Sequence, residues 1–166
     1  MRELARRIDA FQERLGRGVS WLMVGLVAVV FGDVVFRYAF NRSFVFVQEL
    51  EWHLFGLIYL LAAGYTLLHN EHVRVDILYT KLAPRSQARL DFILVWLFLV
   101  PSCLLVIYTA WPFVRNSFMV QEGSADPGGI PARWVIKSAI IVGFALLLLQ
   151  GVSEAIKAFY RARDIH

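Results

Sequence analysis

The chain has 166 residues, of which 58% are hydrophobic, 14% aromatic and only 18% charged. Soluble globular domains run nearer half apolar, so this excess points to lipid. The net charge of +4 does not make a nucleic-acid binder, because the basic residues flank long apolar runs, where orientation signals of membrane proteins sit.

Residues 1–17 carry Arg2, Arg6, Arg7, Arg14 and Arg17, with Leu4, Ile8, Phe11 and Leu15 at helical spacing. The pattern predicts an N-terminal amphipathic interfacial helix. Packing on a partner, or simple extension of the first span, are the alternatives. Val19 to Phe36 is the first span, with Asp33 as its one charge. At about 1.5 Å per residue it reaches about 27 Å, enough for a thin or local crossing. No small-x-small cleavage site follows it, and Arg37-Tyr38 comes instead, so an uncleaved anchor is expected.

The second span runs from about Phe44 to Leu68 and opens with Glu49, Glu51 and His53. Gly56 and Gly64, about two turns apart, share a face on which a partner helix could approach closely. Phe92 to Phe113 is the third span and contains no charge; Pro101 predicts a kink within it. Trp134 to Val152 is the fourth, with Lys137 near its start. Cys103 is the single cysteine, so no internal disulfide can form. The expectation is one all-α membrane domain over 1–166. It has four transmembrane helices (about 19–36, 44–68, 92–113 and 134–152), the N-terminal interfacial helix, and a short interfacial segment between spans two and three.

Lysine and arginine are distributed unevenly. The N-terminus, loop 69–91 and the C-terminal tail hold twelve, whereas loops 37–43 and 114–133 hold four. The positive-inside rule therefore places both termini in the cytoplasm and the first and third loops outside. The long outer loop 114–133 is rich in Gly and Pro and is expected to be irregular. Gly128-Gly129 within it is no phosphate cradle, since no strand precedes it and no Lys-Ser/Thr follows.

Ionisable groups inside a membrane are costly and count first as functional candidates. Here they sit near span ends. Asp33 and Arg37, four apart, suit a structural ion pair at the outer surface. Glu49 and Glu51 lie about 200° apart around a helix, so they cannot act on one atom. His53 and His69 are about 24 Å apart on one span, so they cannot both ligate one haem iron. No nucleophile elbow, phosphate loop or CxxC pair is present, and neither an enzyme nor a cofactor is expected. A self-contained homodimeric transporter would need an acidic group deep in the first span, and Asp33 is near its end. A membrane anchor for an electron-transfer complex is the other alternative.

Several residues occur in a recognisable order. Arg37-Tyr38-Ala39-Phe40-Asn41 follows the first span, and Glu49-Leu50-Glu51 opens the second. His72-Val73-Arg74-Val75-Asp76 follows, then Leu82-Ala83-Pro84, and Leu149-Gln150 closes the fourth. From about residue 18 to 155 the chain resembles the small membrane subunit, DctQ-like, of tripartite ATP-independent periplasmic (TRAP) transporters. The outer loop with Asp126-Pro127-Gly128-Gly129 is longer than that pattern requires. The resemblance implies a sodium-driven importer of organic acids, commonly carboxylates or sugar acids. In it a periplasmic protein binds the solute and a large membrane subunit carries the solute and ion sites. The small subunit braces the large one and helps to dock the binding protein. Implied partners are those two proteins and membrane lipids. Arg37, Arg42, Glu49, Gly56, Gly64, Arg115 and Arg133 are the candidates for partner contact. Asp33, Asn41, Glu51, His72, Arg74 and Asp76 are candidates for structural roles, the last three by fixing the turn after span two.

Overall fold

The computed structural model describes residues 1–70, 79 and 82–164. Helix α1 spans Arg2–Phe40 and α2 spans Val45–Leu68. Helix α3, Pro84–Leu94, runs through a wider π turn, Val95–Leu99, into α4, Val100–Met119. Helix α5 spans Trp134–Asp164. With α3, the π turn and α4 counted as one rod, four helices are long and apolar enough to cross a membrane. A helix satisfies its own backbone groups, which is why apolar chains enter lipid in this form.

Residues 2–17 are not a separate helix lying away from the first span. They continue it as one rod of 39 residues, about 58 Å long against a hydrocarbon core of about 30 Å. Ala5, Ile8, Gln12, Gly16 and Val19 form its buried stripe, and Leu4 and Phe11 stay exposed. The rod ends at Asn41, whose φ of 51° is left-handed; asparagine tolerates that conformation better than most residues. Helix α3 opens on Pro84, where the missing N–H costs no helical bond.

The expected disturbance at Pro101 takes the form of the π turn, in which the Val100 N–H bonds to the Val95 carbonyl. Proline would crowd the carbonyl four residues back, and a wider turn just before it makes room. Helix α4 continues past Pro112 to Met119. The irregular outer loop therefore begins at Val120, later than the expected residue 114, because no glycine interrupts the chain before Gly123.

Helix α5 packs against all the other helices, α1 and α2 pack on each other, and α3–α4 makes extensive contact only with α5. Glycines set the closest approaches. A Cβ on Gly143 would lie 2.7 Å from the Leu60 carbonyl oxygen, and one on Gly64 would lie 2.5 Å from the Gln12 amide nitrogen. At the end carrying both termini the α1–α5 seam is polar. Asp9 accepts hydrogen bonds from Gln150 (2.9 Å), Ser153 (2.7 Å) and Lys157 (3.0 Å). Gln12 donates to the Leu146 carbonyl at 2.8 Å.

Candidate functional site

At the opposite end of the bundle loop 120–133 is folded around one carboxylate. Glu49 lies in the first turns of α2 and is 4% exposed. One of its oxygens accepts from the Ser124 hydroxyl at 2.5 Å and from the Arg133 guanidinium at 3.1 Å. The other accepts from the Ile130 backbone N–H at 2.5 Å. Buried charges persist only when paired and hydrogen-bonded, and this one is satisfied on both oxygens. Gly129 makes the cradle possible, because a Cβ there would collide with the Ser124 side chain and lie 2.6 Å from a Glu49 oxygen. Gly128 turns the chain with a φ of 84°, a conformation natural to glycine.

The ends of the same loop are tied together. The Arg133 N–H donates to the Glu122 carbonyl at 2.8 Å, and Lys137 donates to the Glu122 carboxylate at 2.5 Å. That bond from Lys137 holds the Glu122 carboxyl below its ordinary value. The Lys137 ammonium lies 4.0 Å from the centre of the Phe113 ring, and Trp134 meets Phe118 edge-on at 5.2 Å. Loop 120–133 is thus a rigid cap across α2, α4 and α5. Both oxygens of Glu49 are thus bonded within the chain.

Several residues expected at a partner surface are engaged within the chain. Glu49 and Arg133 bond to each other. Gly64 is buried against Gln12, and a Cβ on Gly56 would meet Ile136 of α5 at 3.6 Å. These positions therefore serve internal packing, because α2 lies between α1 and α5 and turns its glycines to both. Arg42 and Arg115 are exposed. Arg37 donates to Asp33, which is buried while the arginine is half exposed. Asn41 caps α1. Glu51 is partly buried and apart from the cradle, and one of its oxygens has no partner among the described residues. His72, Arg74 and Asp76 lie outside the described residues, as does most of the interfacial segment between the second and third spans.

Two histidines have evident structural partners. His53 Nδ1 lies 2.6 Å from the Glu49 carbonyl oxygen, and His69 Nε2 lies 2.9 Å from a Glu13 oxygen. Among the described residues no three His, Cys, Asp or Glu side chains converge as a metal site requires. Sequence reasoning missed Ser124, Glu122 and the Asp9 seam. The seam had a detectable signal, since Gln150, Ser153, Glu154 and Lys157 recur at helical spacing on one face of α5. Ser124 and the Ile130 N–H had none, because their relation to Glu49 depends on a loop about 80 residues away in sequence.

Four long apolar helices, with Asp9 and Gln12 bonded near one end and Glu49 near the other, define a multi-pass helical membrane protein. The family described as tripartite ATP-independent periplasmic transporters, DctQ component, matches residues 26–161. The chain belongs to this family. A protein of Haemophilus influenzae named as a TRAP transporter small permease is 37% identical over 157 residues, covering 92% of each chain.

Proposed function

We propose that this chain is the scaffold subunit of a sodium-driven, binding-protein-dependent importer of organic acids, carboxylates or sugar acids. It braces the large transport subunit and helps to dock the periplasmic solute-binding protein. The observation that carries this reading is the saturated outer cap. Its Glu49 and Glu122 carboxylates are occupied, so it offers rigidity at the end of the bundle that also carries the exposed Arg42 and Arg115. The apolar flanks support the same reading. Trp21, Val24, Val27 and Phe31 of α1 are exposed, and a Cβ added at Gly18 or Gly25 would meet nothing within 4 Å. Helices of a larger subunit could cover that face by close packing. Arg42 and Arg115 are the docking candidates, and Asp33–Arg37 braces the outer end of α1.

The test is reconstitution of the large subunit and binding protein with and without this chain. Transport is expected to depend on it. Charge reversal at Arg42 or Arg115 is expected to weaken docking by about 0.2–1 kcal/mol each, more at low salt, as exposed pairs do. Full transport without the chain, or altered solute selectivity from substitutions in it alone, would overturn the reading.

A further inference from the structure

We infer that the outward face of α3 and its π turn holds one anionic phospholipid, with the phosphate between Arg85 and Arg89 and an acyl chain against Ile93 and Trp96. Ala88 and Val95 are buried and turn one side of this rod toward α5, on which α3 packs. Arg85, Arg89, Phe92 and Trp96 recur at helical spacing on the other side. The stripe changes character along its length. Its two arginines are exposed. Its apolar half borders a shallow cavity of about 420 Å³ lined by Phe92, Ile93, Trp96 and Leu97. Phe92 is held between the Trp96 ring at 6.5 Å and Phe159 of α5 at 6.1 Å, whereas Ile93, Trp96 and Leu97 are each at least half exposed.

The charge on this face is unbalanced. Among the described residues neither guanidinium has an ion-pair or hydrogen-bond partner. Asp91, the one acidic residue of α3, stands about 200° around the helix from Arg89 and pairs with Arg161 at 3.6 Å. Like charges one turn apart repel each other, and an anion seated between them removes that cost. Phosphate oxygens match the paired donors of a guanidinium.

The depth of the stripe fits a lipid. The uncharged third span begins at Phe92, so both arginines stand at headgroup level just before it. From Arg85 to Leu97 the rod rises about 18 Å, close to one leaflet with its headgroups, which is half of about 40–45 Å. A phospholipid presents an anion and then an apolar chain in this order and over this length. A partner's membrane helix would need a carboxylate set at the level of the arginines and an apolar segment at the level of the cavity.

Native mass spectrometry of the full chain, delipidated in detergent and then offered phosphatidylglycerol or phosphatidylcholine, tests the inference. One retained phosphatidylglycerol is expected, with phosphatidylcholine held more weakly. Arg85→Gln and Arg89→Gln are each expected to lower phosphatidylglycerol affinity about fivefold. Arg14→Gln removes the same charge from an exposed position on α1 and should leave that affinity unchanged. Ile93→Trp fills the cavity and should lower retention of both lipids. A photoreactive side chain at position 93, in native membranes, gives a second readout if Ile93→Trp does not fold. It is expected to capture phosphatidylglycerol in excess of the share captured from position 105, which lies outside the cavity. Equal retention of the two lipids, equal losses from Arg14→Gln and Arg89→Gln, or capture of a protein chain from position 93 would overturn the inference. Lipid retention is measured on this chain alone, so its failure would leave the scaffold reading untouched.

Discussion

Glu49 and Glu122 both order loop 120–133, but they differ in exposure. Glu49 is enclosed by the loop it organises, and Glu122 holds the loop's ends from a partly exposed position beside Lys137. Because the folded Glu122 carboxyl is held below its usual value near 4.5, its stabilising contribution is present above that value. It is lost as pH falls through the lowered one. The gap in thermal midpoint between wild type and Glu122→Gln should therefore hold from neutral pH down to the ordinary glutamate range and then close. A gap that widened on acidification would contradict the assignment. Asp33 and Arg37 show how far single residues can be read unaided. Their spacing alone predicts the pair, because residues four apart on a helix are neighbours whatever the tertiary fold.

At the scale of elements, glycine is used in two opposite ways. Gly143 lets α5 touch the backbone of α2, whereas Gly25 on α1 faces away from the rest of the chain. A methyl group at Gly143 would press on the Leu60 carbonyl oxygen and carbon, which cannot swing aside as a side chain would. Gly143→Ala is expected to destabilise the isolated chain by about 1–3 kcal/mol, the usual cost of overpacking. Gly25→Ala should leave the thermal midpoint in detergent unchanged or slightly raised, since alanine is the better helix former. Equal losses from the two substitutions would mean that the α2–α5 approach is not tight. The continuous α1 rod follows from the same packing. The buried stripe Ala5, Ile8, Gln12 and Gly16 finds its partners on α2 and α5, so the chain has no reason to bend away from the line of the first span.

For the whole molecule, four crossings bring both termini to one end, where Arg2 stacks on Tyr160 and Ala5 meets Ser153. From the lysine and arginine bias we propose that this end faces the cytoplasm. A reporter fused after His166 should give a cytoplasmic signal, and one inserted near Asp126 a periplasmic signal. The reverse pattern would invert the proposed topology and move the docking surface to the other face of the membrane.

The class of the protein was legible before any tertiary structure, as were the number of spans, the Asp33–Arg37 pair and the disturbance at Pro101. Each rests on local chemistry, namely an apolar run long enough to cross lipid, a helical spacing, or a missing N–H. Only the folded chain decided that Glu49, Arg133 and Gly64 serve internal contacts. The same holds for the enclosure of one carboxylate by loop 120–133 and for the match between Asp9 and a polar face of α5. Those relations join residues far apart in sequence, and helical periodicity says which face a residue occupies without saying which helix will cover it.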